Sequence, residues 1–149
     1  MEWSFKKFHK LRLVELYDLL KLRASVFVVE QNCPYQDLDE KDHHATHLLG
    51  YQKNNLVAYS RIFPPGIINK KYASISRIVT QNKIRGKGLG HELVKKSIDF
   101  CREQNTHQTI KISAQVYLKG FYNRLGFFER GKIYLEDGIP HCAMYLKPL

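Results

Sequence analysis

The stretch from Tyr72 to Gln104 restricts the possible folds of this chain more than any other. It opens with β-branched residues at Ile75, Ile78, Val79 and Thr80, which read as a strand over 72–80. It turns through Arg85-Gly86-Lys87-Gly88-Leu89-Gly90. It then runs as a helix from Leu89 to Gln104, with Leu89, Leu93, Val94, Ile98 and Cys101 on one face. Strand, basic glycine turn and helix, in that order, suit a phosphate or pyrophosphate. The first helical turn leaves backbone N–H groups unpaired and carries partial positive charge. Glycines let the backbone approach an anion closely, and Arg85 and Lys87 add full charges. A further strand over 108–113 completes a strand–helix–strand unit, which implies parallel neighbours in an α/β fold with a mixed sheet.

The spacing separates this turn from two other phosphate loops. A Walker loop needs four residues between its first glycine and a Gly-Lys-Ser/Thr, and nothing here fits. The dinucleotide fingerprint G-x-G-x-x-G, begun at Gly86 and Gly88, would need a glycine where His91 stands. What is present is R-x-x-G-x-G, made by Arg85, Gly88 and Gly90. An ordinary glycine-rich turn is the plain alternative for so short a pattern.

With 149 residues, the chain is long enough for one domain with a sizeable core. Its 44% hydrophobic and 26% charged residues exclude a disordered chain. No apolar run approaches the ~20 residues of a membrane-spanning helix. The segment Met1–Lys7 lacks the apolar core of a signal peptide, so a cytoplasmic setting is expected. Cys33, Cys101 and Cys142 are an odd number without a C-x-x-C pair, which points away from a disulfide framework or a zinc site. The net charge of +10 admits two kinds of partner, nucleic acid or an anionic small molecule. The Lys and Arg residues are scattered rather than striped and no nucleic-acid-binding signature stands out, so nucleic acid is disfavoured.

Along the chain, residues 2–8 alternate as a strand does. A helical period over 11–29 is carried by Leu13, Leu16, Tyr17, Leu20, Ala24 and Phe27. Asp37, Asp39, Glu40 and Asp42, followed by His43, His44 and His47, are metal-ligand types in no zinc spacing, so no metal is expected. They read as a solvated acidic loop or as a site for a cationic substrate. Residues 45–52 and 56–63 flank Lys53-Asn54-Asn55, a hairpin signal. A short helix over 114–127 is stopped by Gly126, a turn lies over 136–140, and a last strand over 141–146. No repeat or linker interrupts the chain, so one domain over 1–149 is expected.

Downstream of the glycine turn, in the next β-α unit, lies Phe121-Tyr122-x-x-Leu125-Gly126-Phe127. The two motifs in this order resemble the GNAT superfamily. Further blocks resemble its ElaA-like branch: Val26–Gln31, Cys33–Asp39, Ile75–Val79, Ser113–Gln115 and Glu136–His141, spread over nearly the whole chain. The resemblance implies a single GNAT-like acyl-CoA N-acyltransferase domain. It implies transfer of the acetyl group of acetyl-CoA to a primary amine on a small molecule, by direct attack on the thioester. A non-catalytic module that binds coenzyme A or a partner is the alternative. Monomer and homodimer both remain open.

The resemblance also assigns roles. The backbone of Ile78 and Val79 pairs with the pantetheine arm as an added strand. Arg85, Gly86, Lys87, Gly88, Leu89 and Gly90 hold the pyrophosphate. Gln115 stands near a position where many members carry Asn, a feature of the branch that leaves the usual pantetheine contact open. Tyr122 falls beside the cofactor sulfur, where its hydroxyl can protonate the departing thiolate. A backbone N–H near Val79 can stabilise the oxyanion. Glu30 and His141 are candidate bases, with Asp37, Asp42 and Glu136 as further carboxylates. Arg77 either points to the substrate or pairs with an acid. Glu30, Asp37, Asp39, Glu40 and Asp42, with Glu136 and Asp137, are expected to form an anionic mouth for an ammonium group, provided the fold brings both segments near the thioester.

Overall fold

A computed structural model describes residues 1–149. Its strands are β1 (Glu2–Lys7), β2 (Thr46–Gln52), β3 (Asn55–Phe63), β4 (Ala73–Thr80), β5 (Ile110–Gln115), β6 (Phe128–Glu129), β7 (Tyr134–Glu136) and β8 (Ile139–Leu146). They form one mixed sheet in the order β1-β2-β3-β4-β5-β8-β6, and β7 pairs with β8 off this path. Helices α1 (Leu13–Arg23), α2 (Leu89–Gln104) and α3 (Lys119–Arg124) complete the fold. The β2–β3 hairpin turns at Lys53 and Asn54, both at positive φ (47° and 63°), as a two-residue turn matched to strand twist requires.

The apolar faces of the helices sort themselves onto two cores. Leu93, Val94 and Ile98 of α2 pack with Ile75, Ile110, Ile112 and Met144. Leu19 and Leu22 of α1 pack with Leu49, Tyr59 and Val79. The strand–helix–strand unit is as expected in kind, since β4 and β5 are parallel. They pair only at Ala73–Ile110 and Ser74–Lys111, and beyond that point they diverge. A bulge lies on the other edge of β4. Tyr59 faces Val79 and Arg61 faces Ser76, so Ser60 alone stands opposite both Arg77 and Ile78. Arg77 sits there at φ 50°, and such a bulge bends and twists its strand.

Two expected elements differ. The helix over 11–29 divides, since α1 ends at Arg23 and a π-helical segment, Ala24–Glu30, follows. The buried face is Glu15, Leu19, Leu22, Arg23 and Val26, whereas Leu13 is 87% and Tyr17 70% exposed. Hydropathy passes over Glu15 and Arg23 because they are charged. They are buried because each is paired, Glu15 with Lys6 and Arg12, and Arg23 with Asp37 and Asp42. The helix over 114–127 also shortens. β5 runs on to Gln115, a 3-10 turn covers Val116–Leu118, and only Lys119–Arg124 is α-helical. No helix is long and apolar enough to cross a membrane.

Candidate active site

Where β4 and β5 part, a cavity of about 990 Å³ opens through the sheet. Its walls are β4 from Ser74 to Thr80, β5 from Lys111 to Gln115, the 26–41 segment, Tyr117–Tyr122 and the β7–β8 hairpin. Gln81 N–H donates to Val57 O at 2.8 Å. Backbone groups alternate in direction along a strand, so Val79 also turns its N–H and C=O to β3. Those of Thr80 turn toward the cavity, where the Thr80 carbonyl accepts from Arg85 Nη2 at 3.0 Å. Of the two residues expected at the pantetheine edge, Ile78 and Val79, the Val79 backbone groups are thus turned to β3.

The glycine turn closes one end. Gly86 and Gly88 have φ of 82° and 79°, and a Cβ on either would meet nothing within 4 Å. Gly88 is the N-cap of α2 and offers no side chain to it, so the N–H groups of the first turn are open to an anion. The Arg85 guanidinium is engaged, forming a two-pronged pair with the Glu30 carboxylate besides its bonds to Thr80. Glu30 is therefore tied to the glycine turn rather than free as a base.

Tyr122 is buried on α3, edge-on to Phe121 at 5.0 Å and to Phe127 at 6.0 Å. Tyr122 lines the cavity, and its hydroxyl enters none of the side-chain hydrogen bonds of the protein. Burial pushes its pKa up, so near neutrality the hydroxyl keeps its proton. The phenol is a hydrogen-bond donor here, not a base.

The acidic segment proves to be half of a buried charge cluster. Asp37 accepts from Arg23 Nε at 2.8 Å and Arg77 Nε at 2.7 Å. Asp39 binds Arg61 at 2.7 Å, and Asp42 accepts from Arg23 at 2.7 Å and Arg61 at 3.0 Å. For Asp42 burial alone would raise the pKa, but hydrogen bonds and charge from Arg23 and Arg61 outweigh it and hold the carboxyl below its ordinary range. Three aspartates against three arginines leave no net charge. Asp37 and Asp42 therefore do not form the expected anionic mouth, and Arg77 pairs with acids. No three His, Cys, Asp or Glu side chains converge in a way that could hold a metal ion.

The β7–β8 hairpin brings a different group to the cavity. His141 Nδ1 lies 2.6 Å from Ile139 O and Nε2 lies 3.1 Å from Glu136 Oε2. Both ring nitrogens are occupied by neighbouring oxygens, so neither is open to the cavity for base work. Glu136 is half exposed and also lies within reach of Ser113 Oγ, which pairs with the Tyr134 hydroxyl. Two contacts tie the hairpin and β5 to the segment after the π-helical turn. Gln115 Nε2 donates to Gln31 Oε1 at 3.2 Å, and Cys33 Sγ donates to Asp137 O at 3.4 Å. Sequence reasoning missed Lys41, Arg61, Lys111 and Ser113 as cavity residues. For two of them a signal existed. Lys111 and Ser113 alternate with buried Ile110, Ile112 and Ala114, as on a strand with one wet face.

Comparison with known proteins adds four findings. The family model described as an acetyltransferase (GNAT) domain matches residues 17–148. Protein ElaA of Escherichia coli (strain K12) is 38% identical over 146 residues, 97% of this chain and 95% of its own length. The crystal structure of Escherichia coli ElaA superposes with a TM-score of 0.91 at 36% identity, covering 98% of this chain and 99% of that one. An acyl-CoA N-acyltransferase from Pseudomonas aeruginosa gives the same TM-score, 0.91, at 37% identity, again over 98% and 99% of the two chains.

Proposed function

This chain belongs to the GNAT acetyltransferase family, and from that premise we propose that it is an N-acetyltransferase moving the acetyl group of acetyl-CoA to a primary amine. The observation that carries the proposal is the parting of β4 and β5 beyond Ser74–Lys111. It puts a free strand edge, the glycine turn and the Tyr122 hydroxyl on one cavity.

In this proposal the pyrophosphate lies on the amides of the 85–90 turn, with Lys87 beside it. An anion drawn to Arg85 competes there with Glu30. The pantetheine runs along the β4 edge at Ile78–Thr80. The amine nitrogen attacks the thioester carbonyl, and a backbone N–H of that edge receives the oxyanion. The C–S bond then breaks and sulfur takes up negative charge. Tyr122 donates to it. A phenol's pKa lies above that of a thiol and burial raises it further, so the contact is a hydrogen bond that strengthens as the thiolate forms. The proton lost by the amine goes to Glu136, a half-exposed carboxylate on the cavity, which His141 orients. Glu30, Asp37 and Asp42 are each held by arginine and do not serve. A cytoplasmic setting belongs to the proposal, in keeping with three buried free cysteines.

The test is calorimetric titration with acetyl-CoA, followed by thiol release over a set of amines. Micromolar binding with amine-dependent thiol release is expected. Absence of acetyl-CoA binding would sink the proposal. Binding without release for any amine would favour a module that holds coenzyme A without turnover.

A further inference from the structure

Most of the charges around the cavity cancel in pairs. Arg85 is matched by Glu30, Arg61 by Asp39, and Arg77 by Asp37. Lys41, Lys111 and Asp137 also line the cavity, and no opposite charge lies within ion-pair distance of any of them. Lys111 is fixed in place. It stands at the last β4–β5 pair, opposite Ser74, and its ammonium lies 5.6 Å from the centre of the Tyr145 ring.

These cations lie apart from the glycine turn. Ile110, Ile112 and Ala114 of β5 face the α2 core, so Lys111, Ser113 and Gln115 face the other side of the sheet. The loop that carries Lys41 meets β3 and β4 on that same far side, since Asp37 and Asp39 bind Arg61 and Arg77 there. The α2 N-terminus, on the near side, is the cofactor's end. Lys41 and Lys111 are thus left to whatever enters from the opposite face, together with Glu136 and Asp137.

Resting on the acetyltransferase reading, we infer that the acceptor is an anionic amine: a molecule that carries a carboxylate or phosphate for Lys41 and Lys111 besides the amine that reacts. Two ammonium groups without carboxylate partners repel a second positive charge on the acceptor and attract a negative one. Glu136 and Asp137 supply the acids that face its amine. A polyamine is the acceptor this arrangement disfavours, since Asp37, Asp39 and Asp42 are neutralised by arginines and two lysines face the entry.

The test is a set of titrations of the 15N-labelled protein, followed by amide NMR, at fixed ionic strength, with and without acetyl-CoA. Four probes separate the cases: glutamate, O-phosphoethanolamine, glutarate (the anion without the amine) and spermidine. Glutamate or O-phosphoethanolamine should shift the Ser74, Ser76 and Lys111 amides, and whichever binds more tightly identifies the anion. Glutarate should bind more weakly than glutamate. Lys111→Ala and Lys41→Ala should each weaken the effect about tenfold, the scale of one charge-assisted hydrogen bond. Shifts from spermidine alone, shifts from no probe, or equal affinities in the lysine variants would each overturn the inference. Failure to bind acetyl-CoA in the same samples would instead overturn the acetyltransferase reading.

Discussion

Tyr122 owes its proposed role to its surroundings. Phe121 and Phe127 hold the ring edge-on, burial keeps the hydroxyl protonated, and no protein group takes that proton. Tyr122→Phe keeps the packed ring and deletes the donor. Turnover on a reacting amine should fall ~10²-fold, the scale of a lost general acid, while acetyl-CoA affinity changes by less than about twofold. Stopped-flow thiol release and calorimetry on the same variant check both halves, and unchanged turnover would make Tyr122 a packing residue. Asp42 illustrates the opposite kind of residue. It joins two buried arginines, each of which keeps a second aspartate, so Asp42→Asn leaves the buried cluster with one positive charge in excess. Urea unfolding should show a loss of about 3–5 kcal/mol, far above that of a surface acid. The sequence distinguished these two residues poorly. Tyr122 stood in a motif and could be assigned from it. Asp42 stood in a run of acids, which looks the same whether solvated or matched by arginines from distant strands.

At the scale of elements, the strand–glycine turn–helix unit was legible because each part has a local cause. β-branched residues make the strand, the positive φ of Gly86 and Gly88 makes the turn, and a one-sided apolar pattern makes α2. α1 was legible only as a helix. Its buried face includes Glu15 and Arg23, whose partners lie partly outside it, and its register breaks in the π-helical segment. β6 and β7, at two and three residues, are too short for any period to show. The turn makes its own prediction. Gly88→Val puts a side chain into open space beside the α2 amides and forces a β-branched residue to φ 79°. Acetyl-CoA binding should weaken at least tenfold, or ~1.4 kcal/mol, in a protein whose circular dichroism remains native. Equal affinity in a folded variant would remove the turn from the cofactor site.

Across the whole molecule, one buried constellation joins α1, the 37–42 segment, β2 and β3, and it gives the fold a pH dependence whose sign follows from its bonds. His47 is fully buried, with Nδ1 2.6 Å from the Tyr59 hydroxyl and Nε2 2.9 Å from the Asp42 carbonyl. The phenol can donate to Nδ1 and Nε2–H can donate to the carbonyl, so the neutral ring satisfies both partners. Burial lowers its pKa, with Arg23 and Arg61 adding repulsion. A histidine depressed in the folded state stabilises fully above its unfolded pKa of about 6.5, and that stability is lost as pH falls from there toward the folded value. Asp39 and Asp42, both depressed by their arginines against the opposing effect of burial, act lower. Their contribution is complete above about pH 4 and is lost only below it. Unfolding free energy should therefore stay level from pH 8 to 7. It should decline as pH falls below about 6.5, at up to ~1.4 kcal/mol per pH unit, then fall again below about 4. His47→Gln retains an N–H for the Asp42 carbonyl but cannot take up a proton. Its unfolding free energy should be lower at pH 7 and flatter from pH 7 to 5, with the step below pH 4 intact. Urea titrations of both proteins at half-unit pH intervals make the comparison. Parallel curves through the upper window would show that the proton responsible binds elsewhere.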